Sequence, residues 1–282
     1  MAAQPLKSGI DAAAIDKTCK PCDDFWRYVN GAWLDKNPIP ASKPSWGTMS
    51  GMTEGNRERL KVILESAAAA RSRPGTNEQK IGDFYSACMD TARREELGFK
   101  PIARELELIR KVATRDDLKA LLIEFLRTAV PVPFGIGASP DLKNASDVVA
   151  YVSINAISLP DRDFYFRDDP RSLKIREEFV NHIDRTLRLA GIESPGAGRT
   201  ILDFETRNAQ VMMTLVQRRD PYARYNKMDL AGLNALSPGF DWKPVLRTLS
   251  VPESTTLIVG EPASVKFFHQ QLESVPVHTW KL

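Results

Sequence analysis

Asp23 to Pro40 reads DDFWRYVNGAWLDKNPIP, and its pattern sets how the surrounding chain is read. Asp23 and Asp24 suit the first turn of a helix, where unpaired N–H groups leave positive partial charge. Phe25, Tyr28 and Val29 follow at helical spacing, which makes one face apolar. Asn30-Gly31 is expected to stop this short helix, because both residues tolerate the left-handed conformation found at helix ends. Trp33 and Leu34 are expected to bury, and Pro38 and Pro40 bar further helix. The stretch reads as an amphipathic hook with a rigid, extended exit.

Outward from the hook, residues 41–51 read as a polar connector and 52–70 as a helix that Pro74-Gly75 terminates. A second helix is expected from Asn77, with Ile81, Phe84, Tyr85 and Cys88 on one face and a stop at Gly98. Pro101 suits a first helical turn, and Ile102, Leu106 and Ile109 form the next stripe. Thr114 and Asp117 have capping-box spacing ahead of Leu118, Leu121, Leu122 and Phe125, with Pro131 and Pro133 as the stop. At 133–137 and 148–152 the pattern changes to short β-branched and aromatic runs around a turn at 141–144, which reads as a hairpin. Helices resume at 171–190, closed by Gly191, and at 199–217, where Asp203 and Arg207 are spaced for an ion pair. A strand-like run at 256–259 precedes a helix carrying Val265, Phe268 and Leu272. The fold class is mainly α: a multi-helix domain with a minor β-hairpin.

The 282 residues suffice for one large domain or two smaller ones. With 39 basic and 36 acidic residues the net charge is +3. No basic block of the kind that tracks nucleic acid occurs, so no nucleic-acid partner is expected. No run approaches the ~18 apolar residues of a membrane span. The first residues lack the apolar centre of an export signal. Ala2-Ala3-Gln4 are expected to be either the stub beside such a signal or the start of an unexported chain.

Hydrolytic chemistry finds few candidates. A zinc peptidase needs nitrogen or carboxylate ligands converging on the metal, most economically as His-Glu-x-x-His on one helix face. His182, His269 and His278 are not four residues apart anywhere, so no metal ligand and no catalytic residue is expected in this chain. No Gly-x-Ser-x-Gly elbow occurs. Asp161-Arg162-Asp163 and Arg218-Arg219-Asp220 read as internal ion pairs that fix turns. Gly135 and Gly137 lack the following helix that a phosphate cradle needs. Cys19 and Cys22 form a Cys-x-x-Cys. They read as free thiols, as a candidate local disulfide, or as a redox or metal motif; the last needs either a preceding strand or a second ligand pair, and neither is evident.

The ordered blocks of sequence also carry a resemblance. Asp23-Asp24-Phe25, Tyr28-Val29-Asn30-Gly31, Trp33, Ile39-Pro40 and Trp46-Gly47 resemble the opening of the neprilysin-like M13 zinc metallopeptidases. Ile81-Gly82-Asp83-Phe84-Tyr85 with Cys88-Met89-Asp90 continues the match. So do Leu159-Pro160-Asp161-Arg162-Asp163-Phe164-Tyr165, Arg219-Asp220-Pro221 and Tyr225-Asn226-Lys227-Met228. The resemblance covers the amino-terminal part of such an enzyme, with residues 1–18 as a tail and 19–282 as the amino-terminal-type domain. It implies a helical lid over a separate catalytic domain, the two enclosing small peptides. Zinc is then a cofactor of the complete enzyme, the catalytic domain and small peptides are the partners, and a periplasmic or extracellular location is implied. In the family, cysteines at the Cys22 and Cys88 positions can be bonded to the later half, and charged substrate-binding positions match Ser45, Ser50 and Thr53, which carry no charge. The expected function is the substrate-enclosing region of a zinc metalloendopeptidase, inactive alone. The alternative is a stand-alone, non-catalytic helical module that binds peptides or proteins.

Overall fold

The computed structural model describes residue 9, residues 11–40, residue 43 and residues 45–282. The export-stub reading of Ala2-Ala3-Gln4 lies outside the described residues. The chain divides between Leu97 and Gly98 into two compact units. No helix among the described residues is long and apolar enough to cross a membrane.

In the first unit the hook is helix α1 (Phe25–Lys36). Asp24 caps it, its carboxylate accepting the Arg27 N–H at 2.8 Å. The helix runs through Asn30-Gly31, which overturns the expected stop. Gly31 serves close approach instead: a Cβ there would sit 2.6 Å from the Asp16 Cβ. Asp16 accepts from Thr18 Oγ1 at 2.6 Å and Arg27 Nε at 3.0 Å, and its own N–H donates to the Tyr28 carbonyl. The tail segment is thereby strapped to the hook.

Helix α2 (Thr48–Ala70) begins earlier than expected and absorbs the end of the connector. It packs against α3 (Asn77–Met89) as a hairpin. Arg71 and Gly75 take positive φ in the link, and Thr76 caps α3 by accepting from the Gln79 N–H. Gly82 is where the helices touch, since a Cβ there would lie 2.5 Å from the Ala67 carbonyl oxygen. The run expected to reach Gly98 is broken at Asp90, whose carboxylate accepts the Arg93 N–H and starts α4 (Thr91–Leu97).

The second unit opens with a 3-10 turn at Lys100–Ile102 and α5 (Ala103–Lys111). The capping box then forms as spaced: Thr114 Oγ1 accepts the Asp117 N–H, and the Asp117 carboxylate accepts the Thr114 N–H at 2.8 Å. It starts α6 (Arg115–Arg127), which buries Leu118, Leu122 and Phe125. Strands β1 (Phe134–Pro140) and β2 (Val148–Ile154) form the expected antiparallel hairpin. The hairpin is half of a four-stranded sheet ordered β1-β2-β4-β3, with β3 (Asn226–Met228) and β4 (Leu257–Val259). β4 runs parallel to β2 and antiparallel to β3.

Helix α7 (Pro170–Leu189) ends in the Schellman pattern of paired carbonyl bonds. Gly191 has φ +69°, its N–H reaches the Arg188 carbonyl, and the Ile192 N–H reaches that of Leu187. Helix α8 (Ala197–Val211) stops six residues before the expected 217, because the chain turns to place the Met213 N–H on the Glu261 carboxylate at 2.7 Å. Asp203 pairs backward with Arg199 at 3.1 Å, not with Arg207, whose guanidinium lies over the Phe204 ring. Short helices α9 (Leu230–Leu236) and α10 (Lys243–Thr248) lead through β4 to α11 (Pro262–Ser274) and α12 (Val277–Trp280).

The core of this unit lies between the sheet and α6, α9, α10 and α11. Phe134, Phe240, Trp242 and Phe268 meet edge to face at centroid separations of 5.0–5.7 Å for five of their six pairs. That geometry places positive ring edges on negative faces. The Trp242 indole N–H donates to Ser237 Oγ at 2.6 Å, so the largest buried side chain leaves no donor unpaired.

Candidate functional site

Two polar networks in the second unit use residues whose sequence blocks looked functional. Tyr165, in a 3-10 turn at Arg162–Tyr165, donates to Glu205 on α8 at 2.6 Å. Glu205 is 8% exposed and also accepts from Ser158 Oγ at 2.6 Å and the Ser158 N–H at 3.1 Å. Burial and the Glu205 hydrogen bond push the Tyr165 phenol far above its ordinary value. The Leu159-to-Tyr165 block is therefore tied to α8 by a carboxylate some 40 residues away. Arg162 adds a bond to the Ala209 carbonyl at 3.1 Å and stacks over Phe166. The network contains no histidine, so Ser158 has no relay base of the kind nucleophilic hydrolysis uses. It positions a loop.

Asp141 anchors the second network and is 1% exposed. It accepts from the Lys143 N–H at 2.9 Å, Tyr225 Oη at 2.7 Å and Lys227 Nζ at 2.9 Å. These bonds, the backbone one first, lower its pKa to about 2. The Tyr225-to-Met228 block thus locks β3 to the hairpin turn, and Asn226 adds a bond to the Val259 carbonyl at 3.0 Å. Arg218 likewise fixes a turn, with its Nε 2.8 Å from Glu261. Arg162 also pairs with Asp163 at 3.4 Å, so each charged block holds one arginine in an ion pair.

A cavity of about 490 Å3 sits beside the first network. Leu122, Phe125, Ile201, Phe204 and Trp280 give it an apolar lining, with Ser158 and Glu205 at one wall. In the first unit, Phe25, Trp26, Trp33 and Trp46 line a groove of about 800 Å3 beside the hook. Phe25 and Trp26 are 68% and 62% exposed. Ser45, Ser50 and Thr53 line a separate cleft with Lys43, Glu54 and Arg57, so charge is present beside the uncharged positions. The first two linings are mainly apolar.

The residues do not fit a zinc ion. His182, His269 and His278 lie on α7, α11 and α12, and among the described residues no group of three or more His, Cys, Asp or Glu side chains is placed to hold a metal. Cys19 and Cys22 stand in the turn before α1, and Cys88 near the end of α3; all three are free thiols. Sequence reasoning missed Glu205 and Asp141 as anchors. The signal lay in the quoted blocks, whose tyrosines needed a buried acceptor that spacing could not locate.

The profile of peptidase family M13 matches residues 21–282. Mouse endothelin-converting enzyme 1 is 32% identical over 266 residues, which is 87% of this chain and 33% of that protein. The human enzyme is 31% identical over 264 residues, covering 88% and 33%. The structure of the Mycobacterium tuberculosis zinc metalloprotease Zmp1 in complex with an inhibitor superposes with a TM-score of 0.84 at 30% identity, over 97% of this chain and 42% of that one. PepO from Lactobacillus rhamnosis, 18% identical with a TM-score of 0.75, shares the fold. The chain spans about a third of the length of the curated relatives it matches.

Proposed function

Because this chain belongs to peptidase family M13, we propose that residues 19–282 are the amino-terminal, substrate-enclosing region of a zinc metalloendopeptidase acting on small peptides. The match over residues 21–282 to proteins about three times as long carries this reading. In it, a catalytic domain outside these residues supplies the zinc and the chemistry. The hook groove and the exposed apolar side chains of α2 and α3 support a covering partner, since large uncovered apolar patches mark interaction surfaces.

The chain alone then binds no stoichiometric zinc and cleaves no peptide. Metal analysis of the purified 282-residue chain, with a peptide-cleavage assay before and after chelation, tests this. One tightly held zinc per chain with chelator-sensitive cleavage overturns it. A zinc-free, inactive chain that binds peptides tightly in its own right would favour the stand-alone module instead.

A further inference from the structure

Strand β1 is an outer strand of its sheet, and its hydrogen-bond parity is fixed at both ends. The Asn155 N–H donates to the Pro133 carbonyl at 2.8 Å, and the Asp141 N–H donates to that of Asp147 at 2.9 Å. Bonded and non-bonded positions alternate along an antiparallel pair. Odd-numbered β1 residues therefore face β2, and the N–H and carbonyl groups of Phe134, Ile136 and Ala138 point outward. β2 keeps the same parity, since Ala150 and Val152 bond on its β4 side, to Thr256 and Gly260. Among the described residues no other group hydrogen-bonds to the outward positions of β1. Sheet edges are normally blunted by charge, proline or bulges. β1 reads Phe-Gly-Ile-Gly-Ala-Ser-Pro, without a charge and with its proline at the far end.

We propose that this edge binds a short peptide in extended form, added antiparallel to β1 as a further strand. Paired donors and acceptors repeating every second residue are matched by an extended peptide backbone. The two faces then sort its side chains. Ile136 and Ala138 share the core side, beside a cleft of about 410 Å3 walled also by Leu249, Val251 and Pro252, which takes apolar side chains. Gly135 and Gly137 lie on the other face, where a Cβ on Gly137 would meet nothing within 4 Å. Bulky side chains of the added strand cover that space, as aromatic residues do beside edge glycines. A second copy of β1 fits less well, because antiparallel self-pairing about Ile136 sets Gly135 against Gly137 and leaves the face empty. One added strand is a small contact, so binding is weak and consistent with either the enclosing or the stand-alone role.

The probe is an acetylated, amidated peptide, Lys-Val-Tyr-Val-Tyr-Val-Lys, added to the isotope-labelled 282-residue chain. At saturating peptide, amide exchange followed by NMR should slow about tenfold or more at Ile136 and Ala138. Gly135 and Gly137, already bonded to β2, should not change. In an antiparallel addition the peptide residues that bond Ile136 and Ala138 share their face, which the valines occupy. Methylating the valine nitrogens should therefore abolish protection, and methylating the tyrosine nitrogens should leave it. Ala138→Pro removes one outward donor at an exposed position without touching the β2 ladder, and should weaken binding about tenfold. The methylated peptides keep the test decisive should that variant fail to fold. No protection at millimolar peptide, or equal effects of the two methylation sets, would overturn the proposal. So would protection of Ile136 and Ala138 that needs no peptide and grows with protein concentration, which would make a second copy the occupant.

Discussion

The two units carry similar amphipathic helices and treat them in opposite ways. Every buried hydrophobic side chain among the described residues lies at Val112 or beyond. Among the described residues of the first unit only Gly31 and Gly82 are buried. Phe84, spaced on α3 as a core residue would be, is 72% exposed, and Met52, Leu60 and Ile63 on α2 are exposed as well. Periodicity therefore announces that a face is meant for burial without saying what buries it. In the second unit the cover is the sheet and its neighbouring helices. In the first the described residues leave those faces exposed, and the proposed catalytic domain would supply the cover.

The sharpest way to break this contrast is to cut a large side chain from the closed core. Phe268 is 1% exposed and touches Phe134 and Phe240 edge to face. Phe268→Ala should cost about 3–5 kcal/mol in urea unfolding, the range for phenylalanine truncations that leave a cavity. Hydrogen exchange should show the slowest amides around β4 and α11 and faster exchange through the hook. A loss under ~1 kcal/mol, far below the cavity range, would mean that the second unit is no better packed than the first.

Gly82→Ala probes the close contact between the two long helices of the first unit. The new methyl would meet the Ala67 carbonyl at 2.5 Å, backbone that cannot swing aside, so α2 and α3 must separate. Overpacking of this kind costs roughly 1–3 kcal/mol. The loss should appear as faster exchange in α2 and α3, with the second unit unchanged. Uniform destabilisation of both units would show them to be one cooperative body.

How far the fold could be read from sequence follows the same divide between local and distant causes. The Thr114-Asp117 box and the Gly191 stop are local, since each acts within a few residues, and both form as spaced. Gly31 misled because its reason is Asp16, fifteen residues upstream, pressing on the helix. β3 was not foreseen as a strand: three residues hold no alternation, and its partner β4 is some thirty residues later. Asp203 could pair toward either helical neighbour, and Arg207 was drawn off by the Phe204 ring. The site residues fared worst. Asp141 reads locally as a turn residue, and only folding brings Tyr225 and Lys227 to it.

That distant clamp gives the second unit an acid limit. The Asp141 pKa falls from 3.8 to about 2 in the fold, so the folded state prefers its carboxylate. The stabilisation is complete above the unfolded value and is lost as pH falls through about 4 towards 2. Glu124, held at about 2 by Arg127 and Arg104, titrates in the same window, so the readout is a difference between variants. Asp141→Asn should lower stability at neutral pH and flatten the acid slope relative to the unmodified chain. Parallel slopes would remove Asp141 from the account.

The smallest expected effect is also the most direct probe of the uncovered face. Phe84→Ser removes an aromatic ring that is already mostly in water, so the 282-residue chain should keep its stability within about 0.5 kcal/mol. Trp26→Ser beside the groove should behave alike. Each variant should bind less of an apolar fluorescent dye than the unmodified chain, because the patch it removes is exposed. In a longer protein carrying the covering domain, the same substitutions should cost several times more, as truncations at a buried contact do. Equal, small effects in both proteins would mean that the face is simply solvated, and the contrast between the two units would then reflect composition rather than a partner.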